Sequence, residues 1–508
     1  MTTAVRRAIP RTAAFVLLIL GVLLGGPSPV HAVNVEKVVS PGGIEAWLVR
    51  DPTIPIISVH LAFRGGAALD PDDKLGLARM VSGLLDEGAG NLDSQTFQRK
   101  LNDYAIHLGF DASQDYFTGG LKTLKENRDT AFDMLHIAVT SPRFDAEPVE
   151  RIRNQMLAIL AQNSEDPDHA AALTWSRTVF PDHPYGRPIE GTPETIAKIT
   201  AADLHKFAKE RLARDNLLIG VVGDITPEEL APLLDSTFGA LPARAAQDTV
   251  GDAQLRGSGE TVVSNRDIPQ SVVVFGEAGV KRDDPDYYAA YVMNYILGGG
   301  GFSSRLTEEV REKRGLAYSV YSYLNPLEHA GLVNGGVATR NSKVKESIDL
   351  IRAEWQRMHD SGATDVEMIN AKAFLTGSFA LRLDTTDKIA QTLVAMQMDH
   401  LGLDYLDRRN ALIEAVTKED VDRVAKRLLD VKAVTFVVVG KPEGVSSTSA
   451  PAGEAPPAAA AKPAEDAAPA QSAGKPGEPA APPPANAPAP GPEPAAKPSG
   501  DAAPAPSN

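Results

Sequence analysis

The sequence predicts an α+β fold built twice: two homologous, mostly antiparallel α/β sandwich domains, followed by a disordered Pro/Ala-rich tail. Three observations carry this reading. Strand-like and helix-like segments alternate through residues 33–444, and the helices cluster between short runs of strands, which suits an antiparallel sandwich better than a doubly wound parallel sheet. A repeat is present: "ITAADLHKFAKERLARDNLLIGVVGD" (199–224) matches "VTKEDVDRVAKRLLDVKAVTFVVVGK" (416–441) without a gap. Thr200, Asp203, Ala208 and Gly223 align with Thr417, Asp420, Ala425 and Gly440 at a constant offset of 217. Finally, neither end of the 508-residue chain has the composition of a core.

Those ends set the boundaries. "MTTAVRRAIPR", an apolar run and "VHA" form a secretory signal peptide over 1–32, cut after Ala32. Residues 445–508 hold 17 of the 38 prolines and no aromatic residue, so they can bury nothing and should form a solvated, disordered tail. Between them lie a first domain over 33–240, a polar linker over 241–255 and a second domain over 256–444.

Within the first domain, "IPIISVHLAF" (54–63) is a buried strand. "GLARMVSGLLDEGAG" (76–90) opens an amphipathic helix with Leu77, Met80, Val81, Leu84 and Leu85 on its apolar face. A helix capped by Asp93 or Ser94 follows, then a strand over 109–124, a helix ended by Pro142 and a long helix from Glu147. In both halves a Thr N-cap opens the helix that leads into the closing β-branched strand.

Composition excludes several chemistries. A net charge of −15 would repel nucleic-acid phosphates. With no cysteine, the chain has no disulfides, thiolate catalysis or Cys-based metal sites. His60, His107, His136, His169 and His183 are scattered without ligand spacing, with His169 and His183 assigned to loops. Asp86 and Glu87 lie near a helix end, where solvated carboxylates are expected. "GGGGFSS" (298–304) lacks the GK[ST] ending of a phosphate loop and suits close backbone approach.

On the polar face of 76–90, Arg79, Ser82 and Gly83 occupy i, i+3 and i+4, the spacing at which some zinc peptidases carry His, Glu and His. Four stretches make that spacing informative: "GLAR" after "RGGAALDPDDKLG", "HPYGRPIEGTPETIAKITAADLHKF" (183–207), "NLLIGVVGDI" (216–225) and "ILGGGGFSSRLTEEVREKRGLAYSVYS" (296–322). Together they resemble the pitrilysin/insulinase family of inverted zincins, in the branch of the mitochondrial processing peptidase and its bacterial two-subunit relatives. The resemblance implies a duplicated processing-peptidase-like fold. It also implies that the H-x-x-E-H motif, two zinc ligands and a general base, falls on Arg79, Ser82 and Gly83, with a third ligand falling among Ala158, Ile159 and Leu160. None of these residues can do that work, and the Arg79 cation opposes a dication.

The same resemblance assigns a substrate grip, an Arg and a Tyr seven residues apart, to Arg311 and Tyr318 in "REKRGLAY". It assigns 109–124 to an edge strand beside the zinc helix. The expected function is a non-catalytic, substrate-binding subunit of a periplasmic heterodimeric zinc peptidase acting on peptides or unfolded polypeptides. Its partners would be an H-x-x-E-H-bearing homologous subunit, which carries the zinc, and a peptide. It would bind no metal or nucleic acid itself and span no membrane after signal cleavage. Two other readings stay open: a stand-alone peptide-binding scaffold, and a peptidase with an unrecognised site.

Overall fold

The computed structural model describes residues 34–246 and 249–449; the signal-peptide assignment and the tail from 450 onward lie outside them. The first half runs β1 (Glu36–Val39), β2 (Glu45–Arg50), β3 (Ile56–Arg64), α1 (Leu77–Ser82), α2 (Ser94–Asp103), β4 (His107–Ala112), β5 (Tyr116–Leu124) and α3 (Arg128–Thr140). It continues with α4 (Ala146–Glu165), α5 (Pro167–Val179), α6 (Pro193–Ile196), α7 (Ala201–Arg211), β6 (Leu217–Gly223) and α8 (Pro227–Phe238). The second half runs β7 (Thr261–Asn265), β8 (Gln270–Ala278), α9 (Tyr287–Asn294), β9 (Ala317–Pro326), β10 (Gly331–Arg340) and α10 (Val344–Ser361). It ends with α11 (Asp365–Gly377), α12 (Thr386–Met398), α13 (Tyr405–Glu414), α14 (Lys418–Leu428) and β11 (Thr435–Gly440).

Each half builds one sheet. The orders are β1-β2-β6-β3-β5-β4 and β7-β11-β8-β10-β9. The pairs β2–β6 and β7–β11 are parallel and the other pairs antiparallel, so the five strands of the second sheet correspond in order to β2-β6-β3-β5-β4 of the first, with β1 added at one edge and β4 and β9 as equivalent edges. The repeat explains the match. Thr200 and Thr417 each close a capping box with the Asp three residues on, starting α7 and α14, which feed the buried strands β6 and β11.

The halves exchange a helix. α12 of the second half packs on β3 and β6 of the first sheet, and α5 of the first half packs on β8 and β11 of the second. Glycines admit both helices. A Cβ on Gly220 of β6 would come within 2.6 Å of the Ala390 carbonyl oxygen, and one on Gly276 of β8 within 3.2 Å of the Trp175 ring. Gln397 donates to the Ile219 carbonyl at 3.0 Å, and the Ser58 and Thr386 hydroxyls meet at 2.8 Å. Neither sheet covers both its faces alone.

Four local expectations change. The helix from Leu77 ends at Ser82, because Gly83 caps it and bonds back to Arg79; Leu84 and Leu85 stay buried in the turns beyond. Residues 109–124 are not one strand but most of the β4–β5 hairpin, reversed at a turn where Ser113 N donates to Tyr116 O. His169 sits in α5 rather than a loop, since Asp166 caps that helix and Pro167 starts it. Ser447 and Thr448, assigned by composition to the tail, line the outer edge of β7. Their hydroxyls accept from Val263 N and Thr261 N at 2.8 Å.

Candidate functional site

Two places matter: the α1 helix and the corner where the chain enters β9. α1 is anchored at both ends. Asp70 accepts from Ala78 N at 3.1 Å and pairs with Arg211 at 3.0 Å, both carboxyl and guanidinium being buried. Burial pushes the Asp70 carboxyl up to about 6, and Arg211 works against that rise. At the other end Ser82 Oγ donates to the Arg79 carbonyl at 2.8 Å. Arg79 reaches sideways to form an ion pair with Asp111 on the edge strand β4.

The positions that the resemblance assigns to ligands are thereby committed to packing. A Cβ on Gly83 would sit 3.3 Å from Ile152 Cγ2 of α4, so this glycine seats α4 against α1. The residue facing Gly83 is Ile152, two helical turns before the predicted 158–160 segment, whose Ile159 is exposed. Among the described residues no group of three His, Asp or Glu side chains is placed to hold a metal ion.

Asp86 and Glu87 are not solvated, contrary to expectation. α2 covers them: Gln98 donates to the Asp86 carboxylate at 3.3 Å, and Ser94 to Glu87 at 2.5 Å. Arg151 of α4 pairs with Glu87 at 2.6 Å. Burial first, and the neighbouring Glu87 second, push Asp86 up to about 6.

The second place is built differently. Two π-helical segments, Tyr295–Gly299 and Thr307–Glu312, flank the glycine-rich loop; such segments are frequent at functional sites. Gly298 is there for close approach, since a Cβ would meet Ser322 N of β9 at 2.6 Å. Gly315 takes φ +58° and bonds its N–H to the Arg311 carbonyl at 2.8 Å, turning the chain into β9.

That turn brings Arg311 and Tyr318 together. The Arg311 guanidinium carbon lies 4.9 Å from the Tyr318 ring centroid and 4.5 Å from that of Phe302. Tyr318 is 84% exposed and Phe302 62%, large values for aromatic rings. Glu312 pairs with Arg311 at 3.4 Å. An exposed cation–π contact is worth about 0.5–1 kcal/mol, enough to orient the guanidinium but not to bury it. Its remaining N–H donors stay open to solvent-side acceptors such as peptide carbonyls. The sequence reading missed Phe302, nine residues from Arg311, and Asp111; the glycine-rich loop around Phe302 was the available signal.

Comparison with known proteins follows this division. Residues 46–193 match the family model described as insulinase (peptidase family M16), and residues 198–375 the one described as peptidase M16 inactive domain. A Helicobacter pylori protein named non-peptidase homolog YmxG is 29% identical over 84% of this chain and 97% of its own length. An uncharacterized zinc protease of Streptomyces coelicolor is 27% identical over 78% of this chain and 87% of its own. The crystal structure of a peptidase M16 inactive domain from Pseudomonas fluorescens superposes with a TM-score of 0.76 at 28% identity, covering 80% of this chain and 98% of that one.

Proposed function

From its place in the insulinase (peptidase M16) family, to which this chain belongs as an inactive homologue, we propose that it is the substrate-holding, non-catalytic subunit of an exported heterodimeric zinc peptidase. An H-x-x-E-H-bearing homologue supplies the metal, the base and the hydrolysis. This chain supplies Arg311 and Tyr318, which bind the peptide and donate hydrogen bonds to its backbone carbonyls. The N-terminal segment directs this chain to the periplasm.

The observation that supports this most is the Phe302–Arg311–Tyr318 stack, which presents two exposed aromatic rings and an oriented cation at one corner. The loss of every ligand position on α1 argues against a peptidase acting alone.

The test is purification of the tagged, exported chain from its native host. The expected result is co-purification of an H-x-x-E-H homologue, with no stoichiometric zinc and no cleavage from this chain once separated. Stoichiometric zinc with cleavage by the separated chain would establish the enzyme reading instead. Absence of any such homologue would leave the scaffold.

A further inference from the structure

Away from the Arg311 corner, the second sheet carries a cavity of about 530 Å³ between its α5-facing surface and α5 itself. Its origin is visible in the strand register. Gly276, Asn334 and Tyr323 form one row across β8, β10 and β9, and Val274, Gly336 and Tyr321 form another. Glycine in each row lets a neighbouring ring lie close to the sheet: Tyr321 across Gly336 and Trp175 of α5 over Gly276. Trp175 and Phe180 close the opposite wall, with Leu332 and Val274 on the floor.

One polar group lining this space is both buried and unpartnered. Asn334 is 4% exposed, and its Oδ1 has no hydrogen-bond partner, while its amide serves the Tyr323 hydroxyl. A buried acceptor without a partner is costly to the folded chain and marks a place where a ligand's donor would restore the bond.

Ser319, Tyr321, Tyr323 and Asn325 of β9, the terminal strand of its sheet, line the cavity. An extended peptide added to that edge would lie one strand spacing, about 4.8 Å, from Tyr321. A long flat side chain from such a peptide reaches over Tyr321 into the space.

We infer that this cavity binds an aromatic side chain carrying an N–H or O–H donor, tryptophan or tyrosine, from a peptide extended along β9, with Asn334 Oδ1 accepting the donor. The aromatic walls select a ring by stacking, and the buried, unpartnered Asn334 acceptor selects a donor on it. The inference rests on the peptide-holding reading and adds a side-chain preference to it.

Binding of capped single residues tests it on the whole mature chain without a partner. N-acetyl-L-tryptophanamide and N-acetyl-L-tyrosinamide, titrated by NMR, should bind about tenfold more tightly than N-acetyl-L-phenylalaninamide, which leaves the acceptor unpaired. Asn334→Leu should lower the tryptophan and tyrosine affinities to the phenylalanine level while leaving the latter unchanged. Ala172→Trp, an exposed α5 position on the cavity wall, should abolish all three without touching the core. Equal affinity for the three amides, or an Asn334→Leu chain that still prefers tryptophan, would overturn the inference. Neither the partner nor pairing along β9 is needed, so failure here leaves the Arg311–Tyr318 proposal standing, while failure of that proposal shows in turnover of the heterodimer, a separate readout.

Discussion

The α1 helix and the Arg311 corner hold corresponding kinds of residue in opposite states. Around α1, each polar side chain at or near the ligand positions is used inside the chain: Arg79 by Asp111, Ser82 by a helix carbonyl, Glu87 by Arg151 and Ser94. At the corner, Arg311 is oriented by two ring faces and a neighbouring carboxylate, and the rings themselves are exposed. The first region spends its polar groups on support. The second still points outward. A variant in the first should therefore cost stability, and one in the second should cost activity of the pair.

The largest expected effect belongs to the support. Asp70→Asn leaves Arg211 buried without its counter-ion and should lower stability by about 3–5 kcal/mol in denaturant unfolding. An unchanged midpoint would mean that α1 is not anchored as described. Next comes the corner. Arg311→Ala or Tyr318→Phe should reduce kcat/KM of the reconstituted pair by roughly 10–10³-fold with the melting temperature hardly moved. If both variants turn over like wild type, the corner is not a grip.

A third difference between the halves lies in their buried carboxylates. Asp70 has a cation beside it; Glu277, in β8, has only the Trp355 Nε1–H at 2.5 Å and the Asp430 N–H at 3.1 Å. Burial pushes Glu277 up to about 8 from an ordinary 4.5. Between those values the folded chain keeps a proton that the unfolded chain has released, so stability must fall as pH rises. The Glu277 contribution is complete below about pH 4.5 and gone above about 8. Melting curves from pH 5 to 9 should show that slope in wild type and a flatter one in Glu277→Gln; parallel slopes would contradict it.

Smaller effects should separate the regions further. Arg79→Ala breaks a half-exposed pair and should cost about 0.2–1 kcal/mol, with turnover of the pair unaltered. Restoring Arg79→His, Ser82→Glu and Gly83→His together should yield no zinc peptidase, because Ile152 occupies the space beside Gly83 and offers no ligand. Tight zinc binding by that triple variant would show the site to be only superficially lost. Deleting 450–508 should leave the melting temperature within error; a loss of several degrees would mean that the tail docks.

Much of this was legible in the residues because it was local. The 217-residue offset carried the duplication, and the Thr–Asp caps at 200 and 417 carried the helices that follow. Arg311 and Tyr318 were singled out by the family resemblance, whose seven-residue Arg–Tyr spacing they match. What could not be read was long-range. The apolar faces of α5 and α12 show that each helix is buried but not that each covers the other half's sheet, and Gly220 and Gly276 signal close approach without naming the neighbour. Asp86 and Glu87 looked solvated because nothing in their own segment covers them; Gln98 of α2 reaches Asp86 and Arg151 of α4 reaches Glu87. Phe302 reaches Arg311 only through the π-helical turn.

The most direct test is peptide cleavage by the purified mature chain, by its co-purifying H-x-x-E-H homologue, and by the two mixed at equal concentration. The mixture should cleave well above the homologue alone, the chain alone should be silent, and Arg311→Ala should remove most of the gain. Full activity from the homologue alone, or cleavage by this chain alone, would contradict a substrate-holding role.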